Sequence, residues 1–120
     1  MKYMLLVYGA ENAWTADERD ACIENSVALC HELHTRQQYL GASPLHPGAT
    51  ATCVRNHNGH KLVTDGPFVE THEQLGGYFL IDVPDLDSAI SVARRIPGGD
   101  RGTVEIRPVV DLTTLPQLHA

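Results

Sequence analysis

Apolar side chains dominate residues 2–8 of the chain, in both alternating sets of positions. A strand whose two parities are both apolar is typical of burial on both faces of a sheet. The same double pattern recurs over residues 78–83, whereas residues 103–108 alternate between apolar and polar positions. We therefore predict three strands. The first two lie at the centre of a sheet, and the third turns only Val104 and Ile106 inward.

Two helices are predicted between these strands. Thr15 and Glu18 have the spacing of a capping box, and apolar residues follow at helical intervals, so we predict a helix from there to about residue 39. Gly41 is the expected stop signal. Asp85 is the expected cap of a second helix over residues 86–95, which the Pro-Gly-Gly segment at 97–99 ends.

A β-hairpin is predicted between the first helix and the second central strand. Residues 50–57 and 60–64 are rich in strand formers, and Asn58-Gly59 between them is typical of a type I′ turn. Residues 42–48 are expected to be a turn-rich connector with at most a short strand at its start. For residues 71–75 we expect a single helical turn.

The element order predicts an α+β fold, a ferredoxin-like βαββαβ sheet with an inserted β-hairpin. We expect one domain over residues 1–110 and a C-terminal tail over residues 111–120. Two helices cover one face of such a sheet, so its other apolar face needs a second copy of the chain, which predicts a homodimer. Leu5, Val7 and Phe79 are the candidates for that face, where each would contribute about 1.5–3 kcal/mol.

Composition excludes several classes of partner. The formal net charge is −6, and Arg94-Arg95 is the longest basic run, so nucleic-acid binding is not expected. No apolar stretch approaches the ~20 residues of a membrane span, and a cytoplasmic protein is expected. Three cysteines without a Cys-x-x-Cys spacing favour neither zinc nor disulfides. The glycine-rich segment 97–102 follows a helix, the reverse of a phosphate-binding loop, and no cofactor or metal is expected.

Residues 63–87, VTDGPFVETHEQLGGYFLIDVPDLD, closely resemble the YCII-related proteins of the DGPF type. The resemblance extends to residues 1–8, 49–52 and 102–109. It implies a dimeric α+β barrel. It also implies a link to extracytoplasmic-function sigma factors, beside which many such proteins are encoded. A few YCII relatives act on chlorinated or hydroxylated aromatic breakdown products. The YCII relatives suspected of catalysis have a histidine on the first helix that is paired with an aspartate, and in this chain that histidine position is occupied by Ser26. His72 stands where proteins of the DGPF type usually have Lys.

The Asp65-Gly66-Pro67-Phe68 motif is the leading candidate site. Proline restricts the residue before it, which forces a sharp bend. Asp65 then either accepts hydrogen bonds within its own turn or acts as a general base beside a cleft. His72 follows closely and is suited to proton transfer as acid or orienter.

Four other side chains complete the candidate substrate site. Pro67 and Phe68 would contact the substrate beside the bend. Arg107 either pairs on the surface or holds a carboxylate or phenolate. Trp14 either roofs the cleft or covers the end of the first helix.

Two functions of different class are consistent with this sequence. The first is a cofactor-independent acid/base enzyme, of isomerase or lyase type, acting on a small acidic or aromatic-derived compound. The alternative is a non-catalytic ligand-sensing or regulatory accessory dimer, for example one linked to a sigma factor. A haem-free oxygenase of the same barrel type is a third and weaker option.

Overall fold

The computed structural model describes residues 1–114. This part of the chain forms six strands and two helices: β1 Lys2–Gly9, α1 Ala16–Thr35, β2 Tyr39–Pro44, β3 Thr52–His57, β4 His60–Asp65, β5 Gln74–Asp82, α2 Leu86–Ala93 and β6 Gly102–Pro108. Short 3₁₀ turns lie at Gly48–Thr50, Pro97–Arg101 and Leu112–Thr114. Of the predicted tail, residues 115–120 lie outside the described residues. Neither helix in the described part is long and apolar enough to cross a membrane.

Four strands form an antiparallel sheet in the order β2-β5-β1-β6. The two doubly apolar strands, β1 and β5, are central, as predicted, because each is covered by a neighbour on both edges. Strands β3 and β4 pair only with each other and form a separate ribbon. The α+β, ferredoxin-like fold with an inserted hairpin is therefore confirmed.

The core lies between one face of this sheet and the two helices. Leu5 of β1 is opposite Phe79 of β5 and Ile106 of β6, and it is fully buried. Helix α1 contributes Leu29 and Leu33 to the same cluster. The expectation that Leu5, Val7 and Phe79 lie on the uncovered face is wrong, since all three belong to this core. Both parities of β1 are apolar, so the sequence did not reveal which one the helices cover.

The opposite face of the sheet is also apolar and faces away from the helices. We call it the open face; it carries Met4, Leu6, Tyr8, Tyr78 and Leu80, each partly exposed. Met4 is opposite Leu80, and Leu6 is opposite Tyr78, so these side chains form one continuous strip across β1 and β5. The described residues thus leave an apolar strip with access to solvent.

Helix α1 ends earlier than predicted. It stops at Thr35, where the amide of Gln37 donates to the carbonyl of His34 and the amide of Gln38 donates to that of Leu33. These two bonds form a Schellman motif, with Gln37 in the left-handed region at φ 59°. Because that position usually holds glycine, Gln37 is not visible in the sequence as a stop signal. The residues that follow form β2, which includes the short strand expected at the start of the 42–48 connector and begins before it.

Strand β5 begins earlier than predicted, and the helical turn expected at residues 71–75 is wrong. The Gln74 side-chain amide donates to the carbonyl oxygens of Thr71 and Val69, at 2.9 and 3.3 Å. These bonds hold residues 69–73 as a loop. Gln74 pairs with Gly9 of β1, so the sheet ladder takes the backbone groups that a helical turn would need.

The capping box of α1 is present as predicted, and Thr15→Ala tests its contribution. The Thr15 hydroxyl accepts from the Glu18 amide at 3.2 Å, and the Glu18 carboxylate accepts from the Thr15 amide at 2.9 Å. Removing the hydroxyl should lower the free energy of unfolding by about 1 kcal/mol and the melting temperature by about 4 °C. Thr35→Ala at the other end of the helix is the control. Equal losses in calorimetry for the two variants would contradict the capping role.

Candidate functional site

A cleft of about 380 Å³ opens where β1 ends, between the first half of α1, the segment that follows β2 and the start of β5. A second cavity of about 160 Å³ continues along the groove and shares the walls Val7, Cys22 and Ile23. The groove exists because α1 is buried only through Leu29 and Leu33, in its second half. In its first half Ile23 is 38% exposed, so the helix stands away from the sheet there.

The polar side chains that line the larger cleft include Glu11, Arg19, His46 and Gln74. The Glu11 carboxylate accepts a hydrogen bond from the Gly48 amide at 2.7 Å. The Arg19 guanidinium donates to the Glu11 carbonyl oxygen at 3.2 Å. These bonds tie the loop after β1 to α1 and to the segment after β2. One of the five guanidinium N–H groups of Arg19 is used in this bond, which leaves others able to bind an anion.

Trp14 lines the same cleft and is held in place by Arg101. The Arg101 guanidinium lies 4.2 Å from the centre of the Trp14 ring and donates to the Ala13 carbonyl at 2.8 Å. It also donates to the Glu18 carboxylate at 2.6 Å, and this bond is the largest cause that lowers the pKa of Glu18 to about 2. Trp14 therefore both covers the start of α1 and forms a wall of the cleft, so the two roles expected of it coincide.

On the side formed by α1, the groove is lined by Cys22 and Ser26. Burial raises the pKa of the Cys22 thiol, and the Asp100 carboxylate raises it further, so at neutral pH the group is a thiol and not a nucleophilic thiolate. The Ser26 hydroxyl donates to the Cys22 carbonyl at 2.8 Å. Ser26 thus lines the second cavity with its hydroxyl bonded back to the helix.

The Asp65 motif lies outside both cavities. Asp65 ends β4 opposite Thr52, and its exposed carboxylate accepts no hydrogen bond from residues 1–114. Phe68 is 74% exposed, and the Arg55 guanidinium lies 5.4 Å from its ring centre. Pro67 approaches Gly48 at the rim of the cleft, where a Cβ built on Gly48 would lie 3.6 Å from that of Pro67.

The remaining predicted site residues lie on other surfaces. His72 is exposed in the loop before β5, and Arg107 is exposed on β6 opposite Met4, which puts it beside the open face. Among the described residues no hydrogen bond or ion pair joins Asp65, His72 and Arg107. Of the six predicted residues, Trp14 lines the cleft and Pro67 adjoins it. Arg19 and His46 were not predicted as site residues. The position of His46 between two prolines, Pro44 and Pro47, did mark it as a loop residue, and loops often carry functional side chains.

An antiparallel ferredoxin-like sheet with a groove between its first helix and its strand ends defines a class of small α+β proteins. Within this class, the chain belongs to the YCII-related domain family, whose sequence model matches residues 1–113. The uncharacterized protein R00369 of Rhizobium meliloti (strain 1021) is 32% identical over 114 residues, which is 91% of this chain and 92% of that protein.

A solved enzyme shares the fold at low sequence identity. It is 5-chloro-2-hydroxyhydroquinone dehydrochlorinase (TftG) from Burkholderia phenoliruptrix AC1100, in complex with 2,5-dihydroxybenzoquinone. The TM-score is 0.56 over 94% of this chain and 97% of the other, with 9% identical residues. At this identity the likeness establishes the fold alone.

Proposed function

We propose that this protein binds a small anionic compound with an aromatic or quinone-type ring in the cleft and transfers protons on it without a cofactor. The observation that carries the proposal is the convergence of Arg19, His46 and Trp14 on one cleft of about 380 Å³. That volume lies in the range of roughly 300–1,000 Å³ that is typical of small-molecule sites. The fold relative, a 5-chloro-2-hydroxyhydroquinone dehydrochlorinase in complex with 2,5-dihydroxybenzoquinone, supports the same class of ligand.

Arg19, His46 and the apolar walls of the cleft have distinct roles in the proposed reaction. The Arg19 guanidinium binds the carboxylate or phenolate oxygen of the ligand, for which its planar N–H groups are suited. Trp14 and Leu75 provide apolar walls for the ring. His46 accepts a proton from one ligand atom and returns it to another, as an isomerase requires, because an imidazole ring can both accept and donate a proton.

The test is a fluorescence titration with 2,5-dihydroxybenzoquinone, the ligand of the fold relative, as the probe. Trp14 is the single tryptophan of the chain and lines the cleft, so quenching of its emission reports binding there. Arg19→Ala should weaken binding at least about tenfold, since it removes a charge-assisted hydrogen bond. His46→Gln should retain binding but abolish any turnover of the probe that the wild type performs.

Matched variants distinguish the cleft from the Asp65 motif. If the cleft is the site, Asp65→Asn, His72→Gln and Arg107→Ala should each leave the affinity within about twofold. Loss of binding in these variants, with Arg19→Ala unaffected, would move the site to the DGPF-type turn and reject the cleft. Binding without turnover in the wild type would reject the enzymatic part and favour the ligand-sensing accessory protein.

We also propose that the protein is a homodimer whose two copies associate through the open face. Support comes from Met4, Leu6, Tyr78 and Leu80, which form an apolar strip that neither helix covers. Monomeric soluble proteins rarely leave large contiguous apolar patches in water. Two such faces packed across a two-fold axis would cover each other, as in the dimeric α+β barrel that the resemblance implies.

A further inference from the structure

Strands β3 and β4 project from the rest of the molecule. We call residues 52–65, which comprise both strands and the Asn58-Gly59 turn, the arm. Its side chains bond only to the arm itself and to the segment just after it within the described residues: Cys53 donates to the Gly66 carbonyl and Arg55 to that of Phe68. The radius of gyration is 16.6 Å, against about 14 Å for a compact domain of this length. The arm is therefore a free-standing ribbon.

This ribbon exposes apolar side chains that need cover. Val54 and Val63 are opposite each other across the two strands, and they are 66% and 69% exposed. Leu62 on the other side of the ribbon is also exposed. An isolated two-stranded hairpin is marginally stable in water at best, and packing against another element is the usual remedy. Among the described residues no side-chain hydrogen bond or ion pair joins the arm to either helix or to the large sheet, so its own chain gives it little support and another molecule can supply that element.

We infer that the arm packs against a second copy of this chain. Charge favours this partner. Arg55, Lys61 and Asp65 give the arm a formal charge of +1. Since the whole chain has a net charge of −6, the residues outside the arm together carry −7. A basic arm on an acidic body is complementary to another acidic body of the same kind. In a two-fold dimer the arm of each copy packs on the body of the other, so the same contact between a basic arm and an acidic body occurs twice.

The area of the open face supports the same partner. Four strands about 4.8 Å apart and about seven residues long present a footprint of roughly 450 Å². A stable interface buries about 800 Å² on each partner, so the open face alone falls short. A ribbon of six residue pairs, about 20 Å long, supplies much of the difference. This inference rests on the proposed homodimer and adds to it a second, intermolecular contact.

Sedimentation velocity over a concentration series tests the arm. Val54→Asp and Val63→Asp should each raise the dimer dissociation constant about tenfold or more, because each removes a buried valine and places a negative charge against the acidic body of the second copy. Leu86→Asp is the control: this exposed leucine begins α2, on the layer opposite the open face. Its dissociation constant should stay within about twofold of that of the wild type.

A variant with residues 53–64 replaced by a short Gly-Ser linker provides a second measurement. Because the arm adds nothing to the core, this variant should keep the far-UV circular dichroism of the folded body and dissociate more readily. A wild-type dimer whose dissociation constant is unchanged in all arm variants would overturn the arm contact and leave the homodimer standing. A wild type that is monomeric at every concentration would overturn both.

Discussion

Gly102→Ala is expected to lower the free energy of unfolding by about 3 kcal/mol, at the upper end of the usual cost of overpacking. A Cβ on Gly102 would lie 2.0 Å from the Tyr8 carbonyl oxygen, and backbone cannot move aside as a flexible side chain can. Gly102 begins β6 and pairs with Gly9 of β1, so relief of the clash must separate the two strands at this end. Urea unfolding followed by circular dichroism measures the change.

Gly9→Ala is the matched control for this substitution. Gly9 lies directly across the ladder from Gly102, yet a Cβ there would meet nothing within 4 Å. Its free energy of unfolding should change by less than about 1 kcal/mol. Equal midpoints for the two alanine variants would mean that β6 can shift without cost, and the close approach of the strands would not constrain the fold.

Leu33→Ala is expected to lower the free energy of unfolding by about 3 kcal/mol. Leu33 is 1% exposed and belongs to the cluster through which α1 packs on the sheet, so its truncation leaves a cavity that its neighbours fill only in part. Val27→Ala on the same helix is the comparison, since its side chain is half exposed beside the groove. That variant should lose less than about 1 kcal/mol.

The difference between these two helix variants tests the origin of the cleft. If α1 is anchored by its second half alone, Leu33→Ala should also weaken binding of the benzoquinone probe, because the helix that carries Arg19 is less firmly held. A Val27→Ala variant as destabilised as Leu33→Ala would indicate that α1 is also packed on the sheet beside the groove. The groove would then not be open in solution.

Much of the fold could be predicted from local signals. The two doubly apolar strands, the Thr15 capping box and the Asn58-Gly59 turn each fix one element by short-range physics. The end of α1 could not be predicted, because Gln37 adopts a left-handed conformation that the sequence does not announce. The face of β1 toward the helices could not be predicted either, since Leu5 and Leu6 are equally apolar.

The candidate site was less accessible to sequence reasoning than the fold. The motif at Asp65 predicts a bend in the chain. Because the bend follows β4, which belongs to a ribbon separate from the large sheet, its position relative to the cleft could not be predicted. The cleft arises where α1 leaves the sheet, which is a property of tertiary packing. Arg19 has no sequence signal because one exposed arginine on a helix resembles any other. Trp14 could be predicted, because a large ring before a helix needs a surface to cover.

Both outer strands of the large sheet finish with proline, β2 at Pro44 and β6 at Pro108. Proline has no N–H group, so at these positions the rims of the sheet offer an incomplete ladder to an incoming strand. Lateral polymerisation into filaments is therefore disfavoured at both margins.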